Sequence, residues 1–288
     1  MRILILGGTG MLGHNLWRYF SFRFPHTYTT IRKNSNSLEK TKLFKSDNVI
    51  HSVDAFDFPS LTGVMKCLKP DVILNCIGIT KRRYEANSAL DTITINSLFP
   101  HKLVEWGKAH SALVVNFSTD CVFDGKRGNY SENDTPNATD LYGKTKALGE
   151  IYGENALTIR SSFIGMELEE GSELFEWFLS QKGSVKGFKN AIYSGLTVNE
   201  LCRVVENILV NYPKTTGLYN VSSNPINKYE LLLLIKHTMN LPIEIVPFEN
   251  SFCDRSIDST KFRAEFKYSP PTWETMIEEL SREVKERI

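Results

Sequence analysis

A doubly wound α/β fold, in which a parallel sheet carries helices on both faces, is what this sequence predicts, and three observations predict it. Short apolar runs alternate with amphipathic stretches at close spacing through the first 118 residues, the rhythm of successive βαβ units. The runs Val72-Ile73-Leu74 and Leu113-Val114-Val115 are solidly apolar, as strands buried on both faces of a parallel sheet must be. The first run, Ile3–Leu6, stops at Gly7-Gly8 just before helical periodicity begins, which reads as a buried strand meeting a tight turn.

The elements follow in order. Leu12, Leu16, Tyr19 and Phe20 recur at three- and four-residue steps, so Met11–Phe24 is an amphipathic helix that stops before Pro25. His26–Ile31 reads as a second strand, residues 34–46 as a surface loop or short helix, and Val49–Val53 as a third strand. A helix over Leu61–Leu68 ends at Pro70, and Val72–Cys76 is a fourth strand. Ile93–His110 is a long helix interrupted early by Pro100, and Leu113–Phe117 is a fifth strand. Beyond about residue 160 the rhythm loosens: helices are expected at Leu174–Leu179, Leu201–Leu209 and Tyr229–Met239, and short strands at Leu218–Val221 and Ile243–Val246. With no repeat and no low-complexity linker, residues 1–160 are expected to bind a nucleotide. Residues 161–288 are expected to form a smaller α/β substrate lobe interleaved with the first.

Composition narrows the function classes. With 41% hydrophobic residues, the 288-residue chain can bury a large core. Its 34 basic and 33 acidic side chains give a net charge of +1, unlike a general nucleic-acid binder. Five scattered cysteines with no C-x-x-C pair exclude a zinc ribbon and a secreted disulfide framework, and no metal site is expected. No apolar run approaches the ~18 residues of a membrane span. The expectation is a soluble protein of the reducing cytoplasm.

Gly7-Gly8-Thr9-Gly10-Met11-Leu12-Gly13 fits both G-x-G-x-x-G and G-x-x-G-x-x-G. Gly7 permits the tight turn, Gly10 leaves room for a pyrophosphate, and Gly13 brings helix and strand together. The N–H groups near Met11 and Leu12 then face the anion at the positive end of the helix. The strand before it and the helix after it supply the context that makes this motif informative. An NAD site needs a carboxylate about 20 residues on. Here the second strand ends in Arg32-Lys33, and the first acid after it is Glu39. Two cations in that place suit a 2′-phosphate, hence NADP(H), or else an exposed basic loop. Asp54 after the third strand suits either an adenine contact or a helix N-cap.

Tyr142 and Lys146 are four apart, which puts both on one face of a helix. A phenol titrates near pH ~10 in water. A fixed ammonium beside it stabilises the phenolate, so Tyr142 can serve as acid and base at neutral pH. Ser118-Thr119 closes the fifth strand, at the sheet edge where ligands bind in open α/β folds, and a hydroxyl there can orient the same carbonyl oxygen.

These residues resemble a known family. Ser118-Thr119-Asp120-Cys121-Val122-Phe123-Asp124-Gly125, Gly128-Asn129-Tyr130 and Tyr142-Gly143-Lys144-Thr145-Lys146 through Gly149-Glu150 are similar to extended short-chain dehydrogenase/reductases, within them the dTDP-4-dehydrorhamnose reductase branch. Asn75-Cys76, Asn96, Ile159-Arg160-Ser161-Ser162, Gly217–Val221 and Trp273 extend the likeness over nearly the whole chain. The resemblance implies NADPH-dependent reduction of the C4 keto group of a nucleotide-diphosphate 6-deoxyhexulose, in cell-surface polysaccharide synthesis. It implies Thr119, with Ser118, Tyr142 and Lys146 as the catalytic set, and Cys76, Gly78 and Asn96 as further cofactor contacts. It implies Asp120, Val122, Phe123 and Arg255 as substrate contacts, and it is compatible with a homodimer. Cys121 replaces the family's usual tyrosine, Leu196 stands where the family commonly has proline, and Cys253–Ser259 lacks the usual Arg-Pro. These departures bear on the sugar and nucleotide rather than on the chemistry. Lys81-Arg82-Arg83 suits either a substrate diphosphate or a solvated charge run.

Relatives of other function stay open. A 4,6-dehydratase needs Asp-Glu after the hydroxyl, and here Cys121 follows Asp120. A 4-epimerase would keep its cofactor without net oxidation. A non-catalytic NADP-binding regulatory subunit, like that of methionine adenosyltransferase, would keep the fold and act by docking to a partner.

Overall fold

The computed structural model describes residues 1–32, 42–81, 88–168, 171 and 173–287. The chain divides into two compact units. The first comprises Met1–Ser118, Asp140–Ile159 and Lys214–Leu218, and the second Thr119–Thr139, Arg160–Pro213 and Tyr219–Ile288. Two excursions therefore cross the boundary expected at residue 160.

The main sheet is built on β1 (Ile3–Leu6), β2 (Thr27–Thr30), β3 (Val49–Ile50), β4 (Val72–Asn75), β5 (Leu113–Ser118) and β6 (Ala156–Arg160). A seventh strand, Gly217–Asn220, lies beyond β6, and the order across the sheet is Gly217–Asn220, β6, β5, β4, β1, β2, β3. The pairs from β5 to β3 are parallel, with β1 between β2 and β4. The chain starts in the middle, runs to one edge through β2 and β3, and returns to β1's other side with β4. Strand order thus reverses between β1 and β4, the crevice where doubly wound sheets bind ligands.

Helices α1 (Met11–Arg23) and α2 (Phe58–Leu68) follow β1 and β3. Leu4, Leu6 and Ile73 from the sheet pack with Leu61 and Met65 of α2 and with Leu103 and Val104 of the long helix before β5, all at most 4% exposed. Burial of such side chains contributes roughly 1.5–3 kcal/mol each.

The long helix differs from expectation. It begins at α3 (Ala89–Ile93), passes through a π turn at Thr94–Leu98, and continues as α4 (Phe99–His110). The helix runs on through Pro100, and the irregularity is the widened turn just before it. Pro100 has no N–H to give the Asn96 carbonyl four residues back, and the widened turn relieves its ring of the usual clash. The carbonyl so released lies against Gly149, at the end of α5 (Leu141–Leu148). A Cβ at residue 149 would overlap that oxygen. Close approach, not a turn, requires glycine here.

In the second unit, Val198–Asn211, Lys228–Met239 and Trp273–Arg287 are the long helices. Arg203 joins two of them, donating to both carboxylate oxygens of Glu279 at 2.7 Å each and to Glu200 at 2.7 Å. Ser184–Phe188 pairs in parallel with Glu244–Phe248, and Ala191–Tyr193 pairs with both Ile226–Asn227 and Cys253–Asp254. No described helix is long and apolar enough to cross a membrane.

Gly149→Ala should cost about 1–3 kcal/mol of stability, the usual cost of forcing atoms into a packed site. Urea denaturation of the variant against the parent protein measures it.

Candidate active site

The glycine turn lies at the carboxyl end of β1, beside the crevice between β1 and β4. Gly7 has φ +82°, a left-handed conformation that glycine adopts freely. Thr30 closes the turn: its carbonyl accepts from Gly8 N at 2.8 Å and its Oγ1 from Gly7 N at 3.3 Å. Added Cβ atoms at Gly8 and Gly13 would overlap Thr29 and the Gly7 carbonyl, so these two glycines serve packing. Gly10 is different. A Cβ there would have only carbonyl oxygens near it, at 3.6 and 4.0 Å, so the space over the turn is open. Gly10 caps α1 without a side-chain hydrogen bond, and the first turn carries no acid. The N–H groups at Met11 and Leu12 thus begin a helix with nothing anionic of its own at that end. An open cradle over an uncapped helix N-terminus fits a dinucleotide pyrophosphate.

Around it stand the other sequence-derived cofactor residues. Arg32 follows β2 and is exposed, suited to an anion at that edge; Lys33 lies outside the described residues, as do Arg82 and Arg83. Asp54 accepts from Phe56 N at 3.0 Å, while Asp57 caps α2 through Ser60 N at 3.1 Å, so the helix cap expected of Asp54 falls to Asp57. Cys76 and Gly78 lie half-buried in the segment after β4, whose backbone passes the glycine turn. Asn96 is 1% exposed. Its amide is committed to Ile79: Oδ1 accepts from Ile79 N and Nδ2 donates to Ile79 O, both at 2.9 Å. It therefore shapes the Cys76–Ile79 segment from behind.

Helix α5 carries the Tyr-Lys pair. Asp140 caps it, its Oδ1 accepting from Gly143 N at 3.0 Å. Ser97 in the π turn donates to the Thr145 carbonyl at 2.9 Å. From the sheet, Asn75 Nδ2 donates to Asn116 Oδ1, and Asn116 Nδ2 donates to the Gly149 carbonyl, both at 2.9 Å. Tyr142 is half-buried, with the Lys81 ammonium 5.7 Å from its ring centre. Lys146 is only 7% exposed and donates to the Phe117 carbonyl at 2.6 Å. Burial pulls its pKa down to about 8, against the opposing pull of Glu150 and Cys76.

Ser118 does not point its hydroxyl at open space: Oγ donates to Glu150 Oε1 at 2.7 Å. Thr119 opens the second unit, and its hydroxyl is likewise engaged. Its Oγ1 donates to Asp120 Oδ1 at 3.2 Å and accepts from Cys121 N at 3.1 Å. Of the expected substrate contacts, Val122 and Phe123 are fully buried. Phe123 stacks on Tyr130 with centroids 4.1 Å apart, and the Arg160 guanidinium lies 5.0 Å from its ring centre. Both side chains are thus packed inside the second unit. Asp120 is 5% exposed. Arg255 donates from Nε to the Phe123 carbonyl at 2.9 Å, and its Nη1 lies 3.8 Å from Cys121 Sγ. Sequence reasoning missed Glu150 as a buried group; its place four residues after Lys146 was the available signal.

A glycine turn at the reversal point of a doubly wound sheet, with Tyr-x-x-x-Lys on the helix after β5, defines a nucleotide-binding fold of the extended short-chain dehydrogenase/reductase type. The chain belongs to the family described as RmlD substrate binding domain, whose model matches residues 1–286. It is 23% identical to a dTDP-4-dehydrorhamnose reductase of Aggregatibacter actinomycetemcomitans, over 97% of this chain and 98% of that one. It is 27% identical to the methionine adenosyltransferase 2 subunit beta of Bos taurus, over 84% of this chain and 73% of that one. Among solved structures, a hypothetical dTDP-4-dehydrorhamnose reductase from Sulfolobus tokodaii superposes with a TM-score of 0.75 at 29% identity, over 92% and 94% of the two chains.

The Lys146 shift has a defined sign. Its pKa falls from 10.5 in the unfolded chain to about 8 in the folded one, so burial of the charge lowers stability below pH 8. The deficit is relieved as pH rises from 8 to 10.5, because the unfolded state then binds more protons. Lys146→Met removes this term. Between pH 7 and 9 the parent protein should gain about 1 kcal/mol relative to the variant, read from paired denaturation curves.

Proposed function

We propose that this protein is a reductase that uses NADPH to reduce the 4-keto group of a nucleotide-linked 6-deoxyhexulose. The observation that carries the proposal is the lysine ammonium buried at the end of β5 and held by the Phe117 carbonyl, on the helix that bears Tyr142. A buried cation costs stability and groups kept at such a cost cluster at functional sites; a neighbouring phenol that must ionise gives this one a use.

Bound NADPH supplies the hydride. Gly7–Gly13 and the N-terminus of α1 hold its pyrophosphate, and Arg32 meets the 2′-phosphate. Tyr142 Oη gives its proton to the carbonyl oxygen, and Lys146 stabilises the phenolate left behind. For Thr119 to orient the same carbonyl, its hydroxyl would have to turn from Asp120 Oδ1 to that oxygen. Asp120 and Arg255 are the proposed contacts to the sugar nucleotide. A solved dTDP-4-dehydrorhamnose reductase from Bacillus anthracis, in complex with NADP, shares the fold with a TM-score of 0.76 at 19% identity, over 98% of this chain and 99% of that one. That likeness supports the cofactor assignment. The product would feed cell-surface polysaccharide synthesis in the cytoplasm.

The similarity to methionine adenosyltransferase 2 beta subunits favours a second reading, an NADP-binding regulatory subunit acting by docking. Turnover separates the two. Keto-sugars on dTDP, UDP, GDP and CDP carriers should support NADPH oxidation if the first reading holds. No oxidation with any of them, together with copurification of a partner enzyme, favours the second.

Tyr142→Phe should keep NADPH binding while turnover falls by about two to four orders of magnitude, the usual worth of a positioned acid. Single-turnover kinetics beside a binding titration measure both. Arg32→Ala should weaken NADPH far more than NADH; equal loss for both would remove the 2′-phosphate role.

A further inference from the structure

The basic run after β4 meets the helix that bears Tyr142. Of Lys81-Arg82-Arg83, Lys81 lies among the described residues, and its charge is engaged. Nζ donates to Asp140 Oδ2 at 2.9 Å, and the same ammonium stands 5.7 Å from the centre of the Tyr142 ring. That is within the ~6 Å at which an aromatic face attracts a cation. All three residues belong to the first unit. The side chains of Lys81 and Asp140 are 44% and 38% exposed, so their ion pair contributes little to stability. Its place in the site gives it more to do.

Tyr142 is the second residue of α5, in the first turn of a short helix, where helices fray. The far end of α5 is docked through the Gly149 carbonyl; the near end depends on Asp140. Both oxygens of that carboxylate are used. Oδ1 accepts from Gly143 N at 3.0 Å and caps the helix, while Oδ2 takes the Lys81 ammonium. Lys81 follows Ile79 by two residues, and both backbone polar groups of Ile79 are bonded to the buried Asn96 amide at 2.9 Å. The π turn therefore fixes Ile79, and Lys81 carries that constraint on to the start of α5. Because the ammonium also lies within reach of the phenol ring, the backbone and the side chain of this turn are tied to one group.

We propose that Lys81 is a positioning residue for Tyr142: through Asp140 and the phenol ring it fixes the first turn of α5 against the segment after β4, and it is not a contact for the substrate diphosphate. The proposal deepens the reductase reading and rests on it for its effect on turnover, while the placement of the Tyr142 ring is measurable without any substrate. Two cations then serve one phenol in different ways. Lys146 is buried and held by the Phe117 carbonyl, whereas Lys81 is partly exposed and comes from another segment. Misplacing a reacting group by an ångström costs far more in rate than an exposed ion pair contributes to folding. Loss of Lys81 should therefore show in kcat before it shows in stability.

Three variants test it: Lys81→Met, Lys81→Arg, and Asp140→Asn, which keeps a capping side chain but gives up the charge. Assayed with whichever of the four keto-sugar nucleotides supports turnover, Lys81→Met should lower kcat about tenfold, part of the ~10²-fold that a 1 Å displacement costs. KM and the denaturation midpoint should stay near those of the parent. Lys81→Arg should restore most of the loss. Asp140→Asn should resemble Lys81→Met, and the double variant should fall no further than either alone, since both remove one interaction. A raised KM with kcat intact would make Lys81 a diphosphate contact and overturn the proposal, as would unchanged kinetics or fully additive losses. Carbon NMR of protein labelled on its tyrosine rings gives a readout without turnover, the Tyr142 signal being identified by its loss in Tyr142→Phe. That signal should shift in Lys81→Met and return towards the parent position in Lys81→Arg; no shift in Lys81→Met overturns the proposal. Absence of turnover with every keto-sugar would count against the reductase reading alone, because the ring signal is scored separately.

Discussion

The first unit depends on a set of hydrogen bonds, most of them buried, that dock one short helix against the central strands β4 and β5. Helix α5 has only eight residues, too few to be stable alone. It is held at both ends and in the middle. Asp140 caps its start, Ser97 bonds the Thr145 carbonyl, and the Asn75–Asn116 pair reaches the Gly149 carbonyl. Each of these polar groups is satisfied by another, so the network rigidifies the helix where an unpaired group would weaken it. Without that docking, the Tyr-Lys pair would have no fixed relation to the end of β5.

The π turn belongs to the same constraint. A regular helix through Ala89–His110 would keep the Asn96 carbonyl within its own hydrogen-bond ladder. Pro100 takes away the donor, the turn widens, and Gly149 comes to rest against the freed oxygen. The side chain of Asn96 meanwhile shapes the segment after β4 through Ile79. One local irregularity therefore positions both α5 and the loop next to the glycine turn, as π turns at functional sites often do.

Much of this was legible in the sequence. The glycine turn, the apolar strands and the Tyr-x-x-x-Lys spacing each express a local rule, and local rules read well. Val72–Asn75 and Leu113–Ser118 emerged within a residue or so of expectation because burial on both faces leaves an unbroken apolar run. The less legible features depend on distant partners. Pro100 reads as a helix breaker until Gly149, almost fifty residues away, is seen to use the carbonyl it frees. Val122 and Phe123 sit in a family motif close after Thr119, yet both side chains are buried, and Phe123 stacks on Tyr130. Ser118 and Thr119 look interchangeable in the chain; only the placement of Glu150 separates them. The helix Trp273–Arg287 went unassigned, although Met276, Ile277, Leu280 and Val284 repeat at helical spacing. The strands Phe163–Ile164, Ser184–Phe188 and Ala191–Tyr193, two to five residues each, carry too little pattern to be read alone.

The central claim is that a phenol on α5, beside a buried ammonium, meets a dinucleotide seated over the glycine turn. A crystal structure of the complex with NADP+ tests it most directly. The account predicts the pyrophosphate against Gly7–Gly13, Lys146 Nζ in hydrogen-bond contact with the nicotinamide ribose, and room for a substrate carbonyl within about 3–3.5 Å of both Tyr142 Oη and the nicotinamide ring. A dinucleotide bound elsewhere, or a nicotinamide turned away from Tyr142 with Lys146 untouched, would contradict it.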